Sequence, residues 1–259
     1  MKLVKSVVSA ATLAAIATVA TAGSAAAISF NITNGINNPF TNASNQGAYS
    51  DFAGRKGVTT VDFNSGFDSG ATSVDIKGQD GSKFMTYNFS NGAATSSGKT
   101  GVYSDKWAPA GANGEVNTSK YLAVFKGNTV TMTFQKTMNY FGIDWGAISG
   151  GNIFSFFRNG SLVNSFSTAD VNPVAPVRAS QHGGEGNGYL HFYSTSASDI
   201  FDEIRITQLG GGGFESDNHS FQEGTGAFNA KDVPEPTVTL GLMAMGGAFL
   251  LKRNRKQTA

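Results

Sequence analysis

Few residues in this chain have the type and spacing that chemistry needs. There are three histidines, His182, His191 and His219, and no cysteine. His182 lies in a Gly-rich loop. His191 alternates with Tyr189 and Tyr193 on one side of a strand pattern, opposite Leu190 and Phe192, and His219 follows Asp217-Asn218. Without cysteine, thiol catalysis and Cys-ligated metal sites are excluded. No Gly-x-Ser-x-Gly elbow, His-Glu-x-x-His helix, phosphate loop or dinucleotide fingerprint occurs. Serine triads assemble from distant residues, so spacing alone does not decide that case. The reading adopted is a protein that is not an enzyme and needs no cofactor.

Two groups of residues suggest binding instead. Glu215, Asp217 and Asn218 could offer oxygens to Ca²⁺, which takes six to eight such ligands. Alternation puts Glu215 and Asp217 on one strand face. The competing reading is of solvated strand residues, with Asn218 bonding a nearby backbone group; no Asp-x-Asp-x-Asp-Gly loop is present. Trp107 lies in a polar stretch rich in Gly, Ala, Ser and Asn, with Tyr103 nearby. A flat exposed ring can stack on a sugar, so Trp107 and Tyr103 form a candidate platform. The alternative is an indole that anchors its loop over the domain edge. Trp145 alternates with Phe141 and Ile143 and is expected in the core. The Gly210–Gly213 run reads as a mobile turn, since no helix follows it to hold a phosphate.

Both ends carry targeting patterns. Lys2 and Lys5 precede an apolar run, Val7 to Ala22, and Ala25 and Ala27 supply a small-x-small cleavage pattern. This is a secretory signal peptide over residues 1–27, read by the secretory translocon. At the other end Pro234-Glu235-Pro236 precedes an apolar run from Thr237 to Leu251, then Lys252, Arg253, Arg255 and Lys256. That run would reach about 22 Å as a helix, against a hydrocarbon core of about 30 Å. It is a short transmembrane helix that relies on snorkelling ends and local thinning. The basic cluster stops transfer and stays cytoplasmic. The two prolines hold the acidic motif extended outside the bilayer, where a membrane peptidase could grip it.

The order of motif, short span and basic end resembles the PEP-CTERM sorting signal of exosortase substrates, over residues 233–259. Four other segments, Tyr140–Gly146, Asn152-Ile153 through the Asn159-Gly160 hairpin, Phe201–Ile204 and Gly213–Asn218, are similar to the central domain of a family of exosortase-dependent surface proteins. That similarity spans Val58 to Phe221. The resemblance implies an exosortase as partner, cleavage near Pro234–Pro236, and release or attachment at the surface of a Gram-negative bacterium, often one making extracellular polysaccharide. It implies no biochemical activity.

Between the ends, the sequence must build whatever positions these side chains. Removing the terminal signals takes 19 basic residues to 13 and 18 acidic residues to 17, leaving an exported part near −4. Such a domain has no electrostatic footprint for nucleic acid. Phe and Val are abundant enough to fill a core. Short alternating stretches recur: Ile28–Thr33, Val58–Phe63, Phe84–Phe89, Tyr121–Phe125, Thr129–Phe134, Asn139–Trp145, Ile153–Arg158, Ser161–Ser167, Tyr189–Tyr193, Phe201–Leu209 and Phe214–Phe221. Asn159-Gly160 predicts a type I′ hairpin turn. Asn34 to Tyr49 reads as loop. No internal stretch has apolar residues at helical spacing. These features predict an all-β chain: a jelly-roll-like β-sandwich over residues 28–221, flanked by a signal helix and a short C-terminal transmembrane helix, with residues 222–232 as linker. A non-catalytic polysaccharide- or matrix-binding role is expected. The alternatives are a polysaccharide hydrolase, which needs two carboxylates about 5–10 Å apart in a groove, and a purely structural surface component.

Overall fold

A computed structural model of the chain describes residues 28–67, 71–93, 100–104, 107–146, 148–171, 175–178 and 183–229. The signal segment with Ala25 and Ala27, the sorting tail with Pro234, Glu235 and Pro236, the basic cluster from Lys252 to Lys256, and His182 lie outside these residues. Among the described residues no helix is long and apolar enough to cross a membrane.

The strands in chain order are β1 (Ser29–Thr33), β2 (Val58–Val61), β3 (Ala71–Lys77), β4 (Lys83–Ala93), β5 (Gly101–Tyr103), β6 (Tyr121–Phe125), β7 (Asn128–Gly146), β8 (Asn152–Arg158), β9 (Ser161–Ser167), β10 (Val177–Arg178), β11 (Gly186–Tyr193), β12 (Phe201–Gln208) and β13 (Gly213–Glu223). One short helix, α1 (Thr168–Val171), follows β9. Every described strand pair is antiparallel. The protein is all-β, as the alternating patterns predict. Asn159 and Gly160 have φ of 48° and 77°, so the β8–β9 turn takes the type I′ form that its sequence demands.

β7 organises the sheet. Sequence reading expects two strands here; the structure has one of 19 residues. Its first part pairs with β4 and β12, and its last part with β11 and β13. Around the exposed Gln135 and Lys136 the register with β12 shifts, which bends the strand and carries it from one half of the sheet to the other. The inward residues change parity across this bend. Val130, Met132 and Phe134 are even; Phe141, Ile143 and Trp145 are odd.

The two halves therefore fold face to face, giving a sandwich-like body with aromatic rings between them. On β8, Phe154 sits 4.9 Å from Trp145, 4.9 Å from Phe214 and 5.1 Å from Phe192, centroid to centroid. Phe134 meets Phe221 at 5.2 Å. Edge-to-face and offset contacts of this kind add about 0.5–1.5 kcal/mol per pair to burial itself. The expected core position of Trp145 holds; it is fully buried. The packed body also reaches into the stretch expected as linker. Gln222 and Glu223 belong to β13, and Phe228 is buried against Phe52 and Tyr140.

Candidate functional site

The second half of the sheet turns one face to the aromatic core and the other outward. The outward face is not bare. Tyr140, Gly142 and Asp144 on β7, Tyr189 and His191 on β11, and Asp217 on β13 are buried there. The loop-like stretch before β2 reaches Asp144 through Ala48, Tyr140 through Ser50 and His191 through Asp51, and the segment before β6 reaches Asp217 through Asn117 and Ser119. The stretch before β2 is ordered: Ile36 bridges Tyr49, and Ala48, Tyr49, Ser50 and Phe52 are buried.

A hydrogen-bonded chain runs through this layer. The Tyr140 phenol lies 2.7 Å from Ser50 Oγ and 2.8 Å from His191 Nδ1. On the other side of the imidazole, Nε2 is 3.1 Å from Thr33 Oγ1 and 3.4 Å from Asp51 Oδ2. Burial pushes the His191 imidazole below its usual range, against the pull of Asp51. Burial raises Asp51, but the hydrogen bond and charge of His191, with the Thr33 hydroxyl, outweigh it and hold the carboxyl below its usual range. The consistent arrangement is a neutral ring with Nε2–H turned to Thr33 and the Asp51 carboxylate. Tyr140 then donates to Nδ1 and Ser50 donates to Tyr140. Burial pushes the Tyr140 phenol far upward, so it acts as a donor and not a base. Ser50 is fully buried, so no substrate reaches its hydroxyl in this conformation.

Gly142 is required by this packing. A Cβ there would collide with the Tyr140 phenol oxygen and lie 2.7 Å from Tyr189 Oη. Both tyrosines cross over the bare glycine, and Tyr189 donates to the Asn218 carbonyl at 2.8 Å.

The three residues singled out for Ca²⁺ part company. Asp217 and Asn218 are brought together by a register shift in β13, where Asn218 takes a positive φ of 47°. The shift turns Asn218 to the outer face beside Asp217, and sends His219 inward. His219 packs at 4.9 Å from Phe63 and 5.6 Å from Phe141, with its nitrogens bonded to Tyr87 and Ser216. Burial lowers this imidazole to about 3. Asn218 Nδ2 bonds the Gln46 and Ala48 carbonyls at 2.7 and 3.0 Å. Glu215 folds back over Gly213, along the strand away from Asp217. The sequence does carry a signal for the shift: Phe214 and Phe221 both face the core, and residues an odd number apart can do so only if alternation slips once.

Sequence reasoning missed Asp144, the residue that faces Asp217 across β7 and β13. Its neighbours Phe141, Ile143 and Trp145 mark it as outward, and an outward aspartate passes for a solvated one until a loop is seen to cover it. Trp107 is 43% exposed. Tyr103 is half-buried, its ring 6.3 Å from Tyr121 and 5.7 Å from Phe125. Gly210–Gly212 lie in the connection between β12 and β13, and Gly213 opens β13. Elsewhere an open groove of about 370 Å³ lies between the β3–β4 hairpin and the ends of β2 and β13, lined by Lys56, Gln79, Lys83, Gln135, Lys136 and Gln222 among others.

No protein-family model, curated protein or solved structure matches this chain.

Proposed function

We propose that this chain is an exported surface or matrix protein, passed through the secretory translocon, held briefly in the membrane by its tail, and sorted and cleaved by an exosortase. The observation that carries this reading is the tail itself: Pro234-Glu235-Pro236, a short apolar run and a terminal basic cluster, on a chain that begins with a signal pattern. The β domain between them is a jelly-roll-like sandwich with a non-catalytic role, and the two end segments are helical while in the membrane.

For the domain, the reading is weak polysaccharide or matrix binding through Trp107 and Tyr103. Its support is an exposed indole at the edge of a polar, mildly acidic body. The non-catalytic part is supported by the burial of Ser50, Asp144, His191 and Asp217, the side chains best suited to chemistry. The hydrolase alternative draws on the facing pair Asp144 and Asp217, and it requires the covering loop to leave that face.

A glycan array probed with the full chain and with Trp107→Ala tests the binding role. Retention on acidic or neutral polysaccharides that drops with the substitution supports it. Equal signals from both proteins remove Trp107 from the account, and hydrolysis of any arrayed glycan supports the alternative.

A further inference from the structure

The covered face holds two carboxylates that the reading above leaves unused. Asp144 and Asp217 are register partners on adjacent strands, and both are fully buried. They are served unequally. Asp217 accepts from Asn117 Nδ2 at 2.9 Å, Ser119 Oγ at 3.1 Å and the Asn218 amide at 2.8 Å. Asp144 accepts only the Ala48 amide, at 2.7 Å on Oδ2. Asp144 Oδ1 and Asn218 Oδ1 are buried and accept nothing.

Asp144, Asn218 and Asn117, the donor to Asp217, meet around Gly47. A Cβ at that position would stand 2.8 Å from Asp144 Oδ2 and 2.9 Å from the amide nitrogens of Asn117 and Asn218. Those three atoms crowd the glycine so closely that no side chain fits there. The ionisable groups whose fields act here are Asp62, Asp144 and Asp217, with Tyr49 among them; none is basic. Tyr189, across β11 from Asp144, also feels its charge.

Burying an ionised carboxylate is strongly unfavourable unless an opposite charge or donors compensate it. A proton would cancel one of these charges. A divalent cation cancels two and gives both unserved oxygens a partner. The available ligands are all oxygens, from carboxylate, side-chain amide and backbone carbonyl. Such a set suits a hard cation and not a thiophilic or imidazole-seeking metal. Among the described residues no three His, Cys, Asp or Glu side chains converge on a point, so the set is mixed and not purely acidic.

We propose that Asp144, Asp217 and Asn218 form a buried site for a divalent cation of the Ca²⁺ class, with Asp144 Oδ1 and Asn218 Oδ1 as the oxygens that receive it. Asp144 takes the place that sequence reading gave to Glu215. Because Gln46 and Ala48 bond the same side chains, the ion also fastens the covering loop to β7 and β13. The site is independent of how the chain is sorted.

The test uses the full chain in detergent, with elemental analysis and thermal unfolding in CaCl₂ and in EDTA. The expected result is one Ca²⁺ per chain and a higher melting temperature in CaCl₂. Asp144→Asn, which keeps the shape and removes a charge, weakens Ca²⁺ binding about tenfold or more. In EDTA the same variant melts at or above the wild type, because one buried charge has gone. Glu215→Gln behaves as wild type. A wild-type chain that holds no metal and melts identically in both buffers overturns the proposal and assigns the pair a shared proton. Ca²⁺ stabilisation of equal size in Asp144→Asn places the ion elsewhere, which also overturns it. Should that variant not fold, the wild-type comparison still decides.

Discussion

The phenol oxygen of Tyr140 lies 2.8 Å from Nδ1 of His191, on the strand beside it. Both side chains are fully buried, and the contact joins the bent strand β7 to β11 beneath the loop that carries Ser50 and Asp51. The pair is the middle of a chain of donors that ends on the one partly exposed carboxylate, Asp51.

Tyr140→Phe removes that middle. It strands the His191 Nδ1 acceptor and the Ser50 hydroxyl together, in a place water does not reach. An unsatisfied buried polar group costs about 1–3 kcal/mol. Urea unfolding at neutral pH is expected to show a loss in that range, with an unchanged slope.

The same pair sets an acid limb of stability. Burial lowers the folded pKa of His191, so the folded state binds fewer protons than the unfolded chain below about pH 6.5. The contribution is therefore complete above that pH and is lost as pH falls toward the folded value. His219, at about 3, acts in the same direction. Asp51, held low, adds a further loss at still lower pH. Asp144 and Asp217, whose carboxyls burial raises, slope the other way over this range. The His191 share is therefore read as a difference: wild type should lose stability relative to His191→Gln as pH falls below about 6.5, and the difference should be constant above it.

Gly47 and Gly57 separate crowding from strain. Both have positive φ, 73° and 87°, but a Cβ on Gly47 meets three polar atoms within 3 Å while one on Gly57 meets nothing within 4 Å. Each Ala variant pays about 1–3 kcal/mol of backbone strain. Gly47→Ala should lose clearly more than Gly57→Ala, and equal losses in thermal unfolding would mean that the loop over Asp144 rearranges freely.

Phe154 joins the two halves of the sheet through Trp145, Phe192 and Phe214. Phe154→Ala should cost about 3–5 kcal/mol. A loss below 1 kcal/mol would contradict face-to-face packing of the halves.

Much of this was legible beforehand, for physical reasons that differ along the chain. Ser161–Ser167 follows a tight Asn-Gly turn and Tyr121–Phe125 is a short apolar run closed by Lys126-Gly127, and the structure reproduces their limits. β3 was not foreseen: its alternation in Ala71–Lys77 sets small or polar residues against only two aliphatic ones, and it earns strand form from pairing with β4. β5 and β10, with three and two residues, are too short for any periodicity to register. The two register shifts were legible as changes of parity, Phe134 to Phe141 and Phe214 to Phe221, yet alternation read piece by piece hides them. The covered face was not legible. Nothing in Asn34 to Tyr49 announces that a Gly/Asn-rich loop will cover Asp144, since that depends on contacts more than 90 residues apart, such as Ala48 to Asp144.

Export and sorting fix where the finished polypeptide begins and ends. Intact-mass measurement of the protein recovered from its own host is the direct check. The expected mass corresponds to a chain starting at Ile28 and cut near Pro234–Pro236 when the exosortase is present, with the apolar tail retained when that peptidase is deleted. A mature protein that keeps Thr237 to Ala259 in the presence of the active peptidase would contradict it.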